Sequence, residues 1–428
     1  MNRLIIKGGR VIDPSQGIDK ISDIFIEKGK IKAVEENISI ENAEIIDASG
    51  KIVTPGLIDI HVHLREPGFE AKEDIESGSM SAAAGGFTSV ACMPNTNPPA
   101  DNKSVVEFIT EKAKRVGLVN VYPIGAISKG LKGEELSEIG DMKHSGIVGI
   151  SDDGEPVMNS NLMRRALEYS SMFELPVISH CEDLNMSGEG VINEGLTSTI
   201  LGMTGIPATA EEIMAARDIR IAEFTGGKLH IAHVSTKGCV ELIRQAKAKG
   251  INVTAEATPH HFTLTDESVK TFDTNTKVNP PLRTAEDVEA VRQGLKDGTI
   301  DAIVTDHAPH TIEDKEVEYD YASFGISGLE TSLPLVITYL VNTGILTLSQ
   351  AIEKMTINPA NIINVPKGTL KPGSDADITI IDIEKSITVD TKKFKSKGKN
   401  SPFNGWELKG SVAMTIKSGN IVYKNNGD

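Results

Sequence analysis

Eight short apolar runs, spaced through the middle of the chain and each followed by polar residues, constrain this sequence more than any other feature. They occupy residues 56–60, 87–93, 119–124, 146–150, 175–179, 228–232, 251–255 and 301–305. Runs of this length rich in Val and Ile read as strands buried on both faces. Amphipathic stretches such as 209–224 and 284–295 lie between them, the second opening on acidic residues as helix starts prefer. Eight β/α units are the number that closes a (β/α)₈ barrel. The residues just past the runs are equally telling: His61, His63 and Arg65, then Asn95, Ser128, Asp152 and Asp153, His180, His233, His260 and His261, and lastly Asp306, His307 and His310. A barrel builds its chemistry at the carboxyl ends of its strands, and the metal-capable side chains gather there.

In His61-Val62-His63-Leu64-Arg65 the alternation of a strand sends both imidazoles and the guanidinium to one side. One strand thus offers His61 and His63, and four others offer Asp153, His180, His233 and Asp306. Imidazoles and carboxylates suit Zn²⁺ and neighbouring divalent ions. Six ligands are too many for one catalytic zinc, which takes three and a water, but they fit two metals about 3.5–4 Å apart with one carboxylate bridging. Such a pair activates water and polarises a carbonyl, so the expected chemistry is hydrolysis of an amide or its reverse.

A 428-residue chain with 39% hydrophobic and 24% charged residues is expected to hold one large and one smaller globular part. Residues 1–53 and the C-terminal segment share a style of short strands broken by glycine turns, which predicts one small β-sandwich built from both termini. The expected division is therefore 1–53 plus 365–428 around a barrel of 54–364. A net charge of −16 argues against nucleic acid and anionic membrane as partners. Three widely spaced cysteines, Cys92, Cys181 and Cys239, argue for a reducing compartment. With no 18-residue apolar span, and an apolar stretch from Met1 to Ile6 too short for a signal peptide, a cytoplasmic location is expected.

Three motifs carry a resemblance: His61-Val62-His63-Leu64-Arg65-Glu66-Pro67-Gly68, Cys92-Met93-Pro94-Asn95-Thr96 and Thr305-Asp306-His307-Ala308-Pro309-His310. With them the chain resembles, over nearly its whole length, the long bacterial class of dihydroorotases in the amidohydrolase superfamily. The resemblance implies two Zn²⁺ per subunit, one held by His61, His63, Asp153 and Asp306 and the other by Asp153, His180 and His233. It also decides for Asp153 over Asp152 as the bridge, where hydantoinases, dihydropyrimidinases and allantoinases usually carry a carboxylated lysine. The implied reaction is reversible cyclisation of N-carbamoyl-L-aspartate to dihydroorotate, with Asp306 moving the proton. The implied substrate contacts are His63, with Arg65, Asn95 and His310 for a carboxylate, and Asn279 and the backbone of Phe324-Gly325 for the ring. A homodimer is expected, and association with aspartate transcarbamoylase is an open possibility for this class.

Other residues invite plainer readings. His144 is expected to sit at a helix C-terminus, and His230 to lie on the opposite strand face from His233, against a helix. His260, His261 and His307 lie at the active face, as ligand supports or loop hydrogen bonders. Cys181 reads as a small buried hydrophobe, Gly85-Gly86 as a helix cap and the basic run 392–399 as a solvated loop. Residues 311–323 read as either an ordinary βα loop or a lid, and their place between His310 and Phe324 suggests the lid.

Overall fold

Every residue of the strand Leu57–Val62 is buried, as a strand covered on both faces requires. In the computed structural model, which describes residues 3–425, this strand begins a parallel barrel; Met1 and Asn2 of the amino-terminal stretch lie outside the described residues. The barrel continues through Phe87–Cys92, Asn120–Pro123, Ile150–Ser151, Val177–Ser179, Leu229–Ile231, Val253–Ala257 and Ala302–Ile303. The third strand is interrupted at Ile124 and resumes as Gly125–Ala126, which pairs with the fourth. Ile124 bridges the break by donating its N–H to Cys92 O at 2.9 Å. Closure comes beyond the eighth strand, where His63 N–H donates to His307 O at 2.8 Å.

Helices between the strands start on capping side chains, including Asp74, Asn102, Asn159, Thr236 and Thr284, which accept the first free amides. The expected helices over 209–224 and 284–295 are Ala208–Thr225 and Ala285–Asp297. Apolar side chains from seven of the eight barrel strands or their flanks, among them Ile60, Met93, Ile178, Ala232 and Val304, form one cluster that fills the barrel. The fold is the expected (β/α)₈ barrel with a sheet domain from both termini.

That sheet is a single hydrogen-bonded set of eight strands. Its order is Asn420–Lys424, Glu407–Lys417, Ile378–Thr388, Ile52–Pro55, Arg3–Asp13, Ile18–Glu27 and Lys30–Glu35, with Glu44–Asp47 also pairing the long strand Arg3–Asp13. A register shift between Ile6 and Gly9 splits that strand's neighbours, so Glu44–Asp47 pairs one half and Ile52–Pro55 the other. Both termini feed one core: Leu4, Val11, Ile24 and Val53 pack with Ile378 and Met414. Because Ile52–Pro55 belongs to this sheet, we propose keeping the two-part division with its first join at Gly56 rather than at 53.

The basic run 392–399 keeps Lys392, Lys393, Lys395 and Lys397 exposed, as a solvated loop should, but it is anchored to the barrel. Ser396 is 1% exposed, its hydroxyl and the Lys397 amide donate to Glu73, and the Lys395 amide donates to Glu330. Two carboxylates on the barrel side thus collect backbone amides, which the charge pattern of the run cannot foretell.

Candidate active site

At the carboxyl end of the barrel one carboxylate meets four imidazoles. Asp153 oxygens lie 3.3 Å from His61 Nε2, 3.4 Å from His63 Nε2, 3.6 Å from His233 Nε2 and 3.7 Å from His180 Nδ1. Asp306 Oδ1 lies 3.1 Å from His63 Nε2 and 3.6 Å from His61 Nε2. All six side chains are buried. The neighbouring Asp152 is turned away: it accepts the Ile127 and Ser128 amides at 2.7 and 3.0 Å and the Ser128 hydroxyl, closing the third strand's end.

Ring orientation is set by partners that can only accept. His61 Nδ1 lies 2.5 Å from Glu256 and His180 Nε2 lies 3.1 Å from Glu182, so those nitrogens carry protons and the opposite ones face Asp153. Asn95 donates its amide to Asp153 O at 3.2 Å, which turns its oxygen to His63 Nδ1 at 2.9 Å. Three of the four imidazoles are thereby fixed from behind.

The residues present fit divalent metal. His61 Nε2, Asp153 Oδ1 and His233 Nδ1 are buried without any hydrogen-bond partner, and His180 Nδ1 sits only 2.9 Å from His233 Nε2, a pairing that needs a proton or a cation between the rings. Two triplets, His61, Asp153, His233 and His61, His63, Asp306, each bring their ligand atoms within 4.8 Å of one another. Without a cation, protons do this work. Burial favours neutral His61 and His180, but Asp153 with Glu256 raises the first well above its ordinary value, and Asp153 with Glu182 raises the second to about 10. Burial likewise opposes charge on Asp153 and Asp306, yet the surrounding imidazoles hold both below the usual carboxylate range.

A cavity of about 340 Å³ opens over this cluster, lined by His63, Arg65, Asn95, Asn279, His310 and Phe324 among others. Recesses of about 490 and 530 Å³ elsewhere contain no imidazole. Burial lowers Arg65 to about 10, which leaves it charged at neutral pH; its Nε donates to Pro309 O at 3.3 Å. His310 Nε2 donates to Phe324 O at 2.8 Å, so Nδ1 accepts from Lys72 Nζ at 3.3 Å; burial and the charges of Arg65 and Lys72 lower this ring to about 3. Asn279 Nδ2 donates to Glu182 at 2.9 Å, and the Gly325 amide to Lys277 O at 2.9 Å. Gly325 has φ +141°, and an added Cβ would fall 2.7 Å from that of Ala308. Three other residues here, Arg65, His233 and Asp306, take positive φ of 60°, 32° and 47° without being glycine, the local strain that functional sites store.

This geometry agrees with what the chain is similar to. Residues 50–239 match the dihydro-orotase-like family model and residues 200–423 the amidohydrolase family. The dihydroorotase of Acetivibrio thermocellus is 60% identical over 421 residues, 98% of this chain and 99% of that protein. That of Pelotomaculum thermopropionicum is 61% identical over 423 residues, 99% of each. The chain belongs to the dihydroorotase family. Among solved structures, the L-hydantoinase (dihydropyrimidinase) from Arthrobacter aurescens superposes with a TM-score of 0.89 at 30% identity, over 100% of this chain and 97% of that one. Dihydropyrimidinase from Brevibacillus agri NCHU1002, at 22% identity, gives 0.87 over 99% and 95% and shares the fold.

Sequence patterns do not reveal every residue of this dihydroorotase-type site. His230 does not pack against a helix: it is fully buried and its Nε2 donates to Glu256 at 2.9 Å. Counting alternate faces back from His233 fails because the strand ends at Ile231 and His233 takes a left-handed turn. Glu256 and Glu182 escape sequence reasoning too; a lone Glu in Val253–Ala257 carries no local signal, since its partners come from other strands. His261 is held by Thr258 Oγ1 and Pro280 O, and His307 by Glu73 and the Gly328 amide, whereas buried His260 Nε2 has no partner. Cys181 is buried, and His144 Nδ1 donates to Gly140 O at its helix C-terminus. Segment 311–323 is tied at its base by Lys315 Nζ, which donates to Ser323 O at 2.7 Å and Gly325 O at 3.2 Å. Among the described residues no helix is long and apolar enough to cross a membrane.

Proposed function

We infer that the chain performs the dihydroorotase reaction of pyrimidine biosynthesis with six buried ligands, His61, His63, Asp153, His180, His233 and Asp306, holding two divalent cations. The observation that carries this reading is the single carboxylate of Asp153 facing all four imidazoles, with partnerless buried atoms between them. Zn²⁺ suits this donor set. When bound, the cations supply a nucleophile at neutral pH and a polarised carbonyl.

The chain's own groups do the rest. Arg65 offers a charged planar fork to the carboxylate that substrate and product both carry, and neutral His310 and Asn95 complete that side of the cavity. Asn279 and the Phe324-Gly325 backbone wall in the ring. In the hydrolytic direction Asp306 accepts the proton of the attacking water and passes it to the ring nitrogen as the amide C–N bond breaks. In the synthetic direction Asp306 takes the proton of the carbamoyl nitrogen as the C–N bond forms and delivers it to the hydroxyl of the protonated carboxyl group, which leaves as water. A homodimer, association with aspartate transcarbamoylase and a cytoplasmic location are proposals taken from the family; sedimentation with and without the transcarbamoylase tests the first two.

The shape shared with hydantoinases makes a second reading, a different cyclic amidase. No lysine lines the cavity, and Asp153 stands where the hydantoinase type usually has one. Elemental analysis and turnover of dihydroorotate beside hydantoin, dihydrouracil and allantoin separate the readings. We expect up to two divalent ions per chain and turnover of dihydroorotate above the rest. Metal-free protein with full activity would overturn the metal reading, and preference for hydantoin the substrate reading.

A further inference from the structure

We propose that Glu256 is a positioning residue that decides which nitrogen of His61 is presented to the metal site, and that His230 and Thr254 lock it in place. This rests on the two-cation reading above. The seventh strand, Val253–Ala257, aims Glu256 across the barrel, where Oε1 takes the His61 Nδ1 proton at 2.5 Å and the His233 amide at 3.4 Å. Oε2 takes the His230 Nε2 proton at 2.9 Å. With that nitrogen protonated, His230 Nδ1 accepts from Thr254 Oγ1 at 2.8 Å. His61, His230 and Glu256 are each 0% exposed, so bulk water does not reach the bonds of Glu256 to the two rings; Thr254, at the outer end, is half-buried. The chain keeps a proton on His61 Nδ1 and leaves Nε2, on the Asp153 side, as the nitrogen offered to a cation.

Asn95 and Glu182 orient His63 and His180 in the same manner, but Asn95 lines the substrate cavity and Glu182 is bonded to Asn279, which does. Glu256 does not line it. Its effect should therefore fall on the metal and leave substrate affinity alone. Glutamine keeps the size and an acceptor for His61 while losing the charge that strengthens the bond.

The test uses zinc alone. The purified protein and Glu256→Gln are loaded with Zn²⁺ and titrated with a chelator, with metal read by elemental analysis. Zinc retention in the variant should weaken by roughly 10–100-fold, as for lost outer partners of metal-bound histidine. At saturating zinc KM should be unchanged. In zinc-loaded protein labelled at histidine nitrogens, a slowly exchanging Nδ1 proton should mark His61 and be lost or shifted in the variant. Equal zinc retention by the two proteins, or a His61 proton on Nε2, would overturn the proposal. If the unmodified protein itself binds no zinc, the two-cation reading fails instead. Should Glu256→Gln not fold, Thr254→Val loosens the outer end of the same chain; a smaller loss of zinc affinity is expected, and none would count against the lock.

Discussion

Buried acids occur both in the terminal sheet and at the barrel mouth, and their partners set the two regions apart. In the sheet Asp13 accepts the Ser15 and Leu370 amides at 3.0 and 2.7 Å, and Asp23 those of Gly8 and Ile38 at 2.9 Å each. Those carboxylates replace missing backbone partners and stitch distant segments together. At the mouth Asp153 and Asp306 face imidazoles and leave polar atoms unsatisfied. Asp152 and Asp153 show the same split in adjacent residues, the first bonded to backbone amides and the second to rings. Asp13, Asp23 and Asp152 thus hold backbone amides in place, whereas Asp153 and Asp306 face the imidazoles of the proposed metal site.

The largest expected effect tests the chemical side. Asp306→Asn keeps an oxygen for the cations but cannot carry the proton, so turnover should fall by about 10²–10⁴-fold while metal content, read by elemental analysis, largely survives. A variant with both metals and near-normal turnover would move the proton to another group, buried His260 being the first to examine. Next is Arg65. Arg65→Ala should lower kcat/KM for dihydroorotate by roughly 2–5 kcal/mol in transition-state terms, and Arg65→Lys by less, since the charge stays and the fork is lost. An unchanged specificity constant would place the substrate carboxylate elsewhere.

The sheet acids should answer differently. Asp13→Ala leaves two amides without acceptors and should cost about 1–3 kcal/mol of stability, measured by denaturant unfolding, with kcat/KM of the folded fraction unaltered. A parallel loss of kcat/KM would break the comparison by coupling the sheet to the mouth.

The unequal legibility of the molecule runs along the same line. The eight barrel strands are readable because burial on both faces demands unbroken apolar runs, and the six proposed ligands because each lies within a few residues of a strand end. Glu256 is not readable, because nothing near it in sequence explains a carboxylate inside a strand; His61 and His230, its partners, arrive from the first and sixth strands. Alternation places His61 and His63 correctly within reach of Asp153, and misplaces His230 once the backbone leaves the strand at His233. In sequence the choice between Asp152 and Asp153 needs the resemblance, since what separates them is tertiary: Asp152 bonds to the Ile127 and Ser128 amides and Asp153 faces the four imidazoles. The docking of 392–399 on Glu73 and Glu330 joins residues more than 60 positions apart, beyond any local pattern.

The last expected effect is a pH dependence that distinguishes loaded from metal-free protein. His180, raised from 6.5 to about 10 by Asp153 and Glu182 against the opposing pull of burial, gains a proton's worth of partners on folding. A base whose pKa rises on folding adds stability that is complete below its unfolded value and lost as pH climbs through its folded one. The unfolding temperature of the metal-free protein should therefore fall between about pH 6.5 and 10. In loaded protein the cations stand in for those protons, and proton release makes their binding stronger as pH rises, so the fall should be absent or reversed over the same interval. Thermal scans of both forms across that interval decide it: identical slopes would mean that the mouth's imidazoles contribute nothing to stability through their protons, and that the mouth and the sheet differ less than their partners imply.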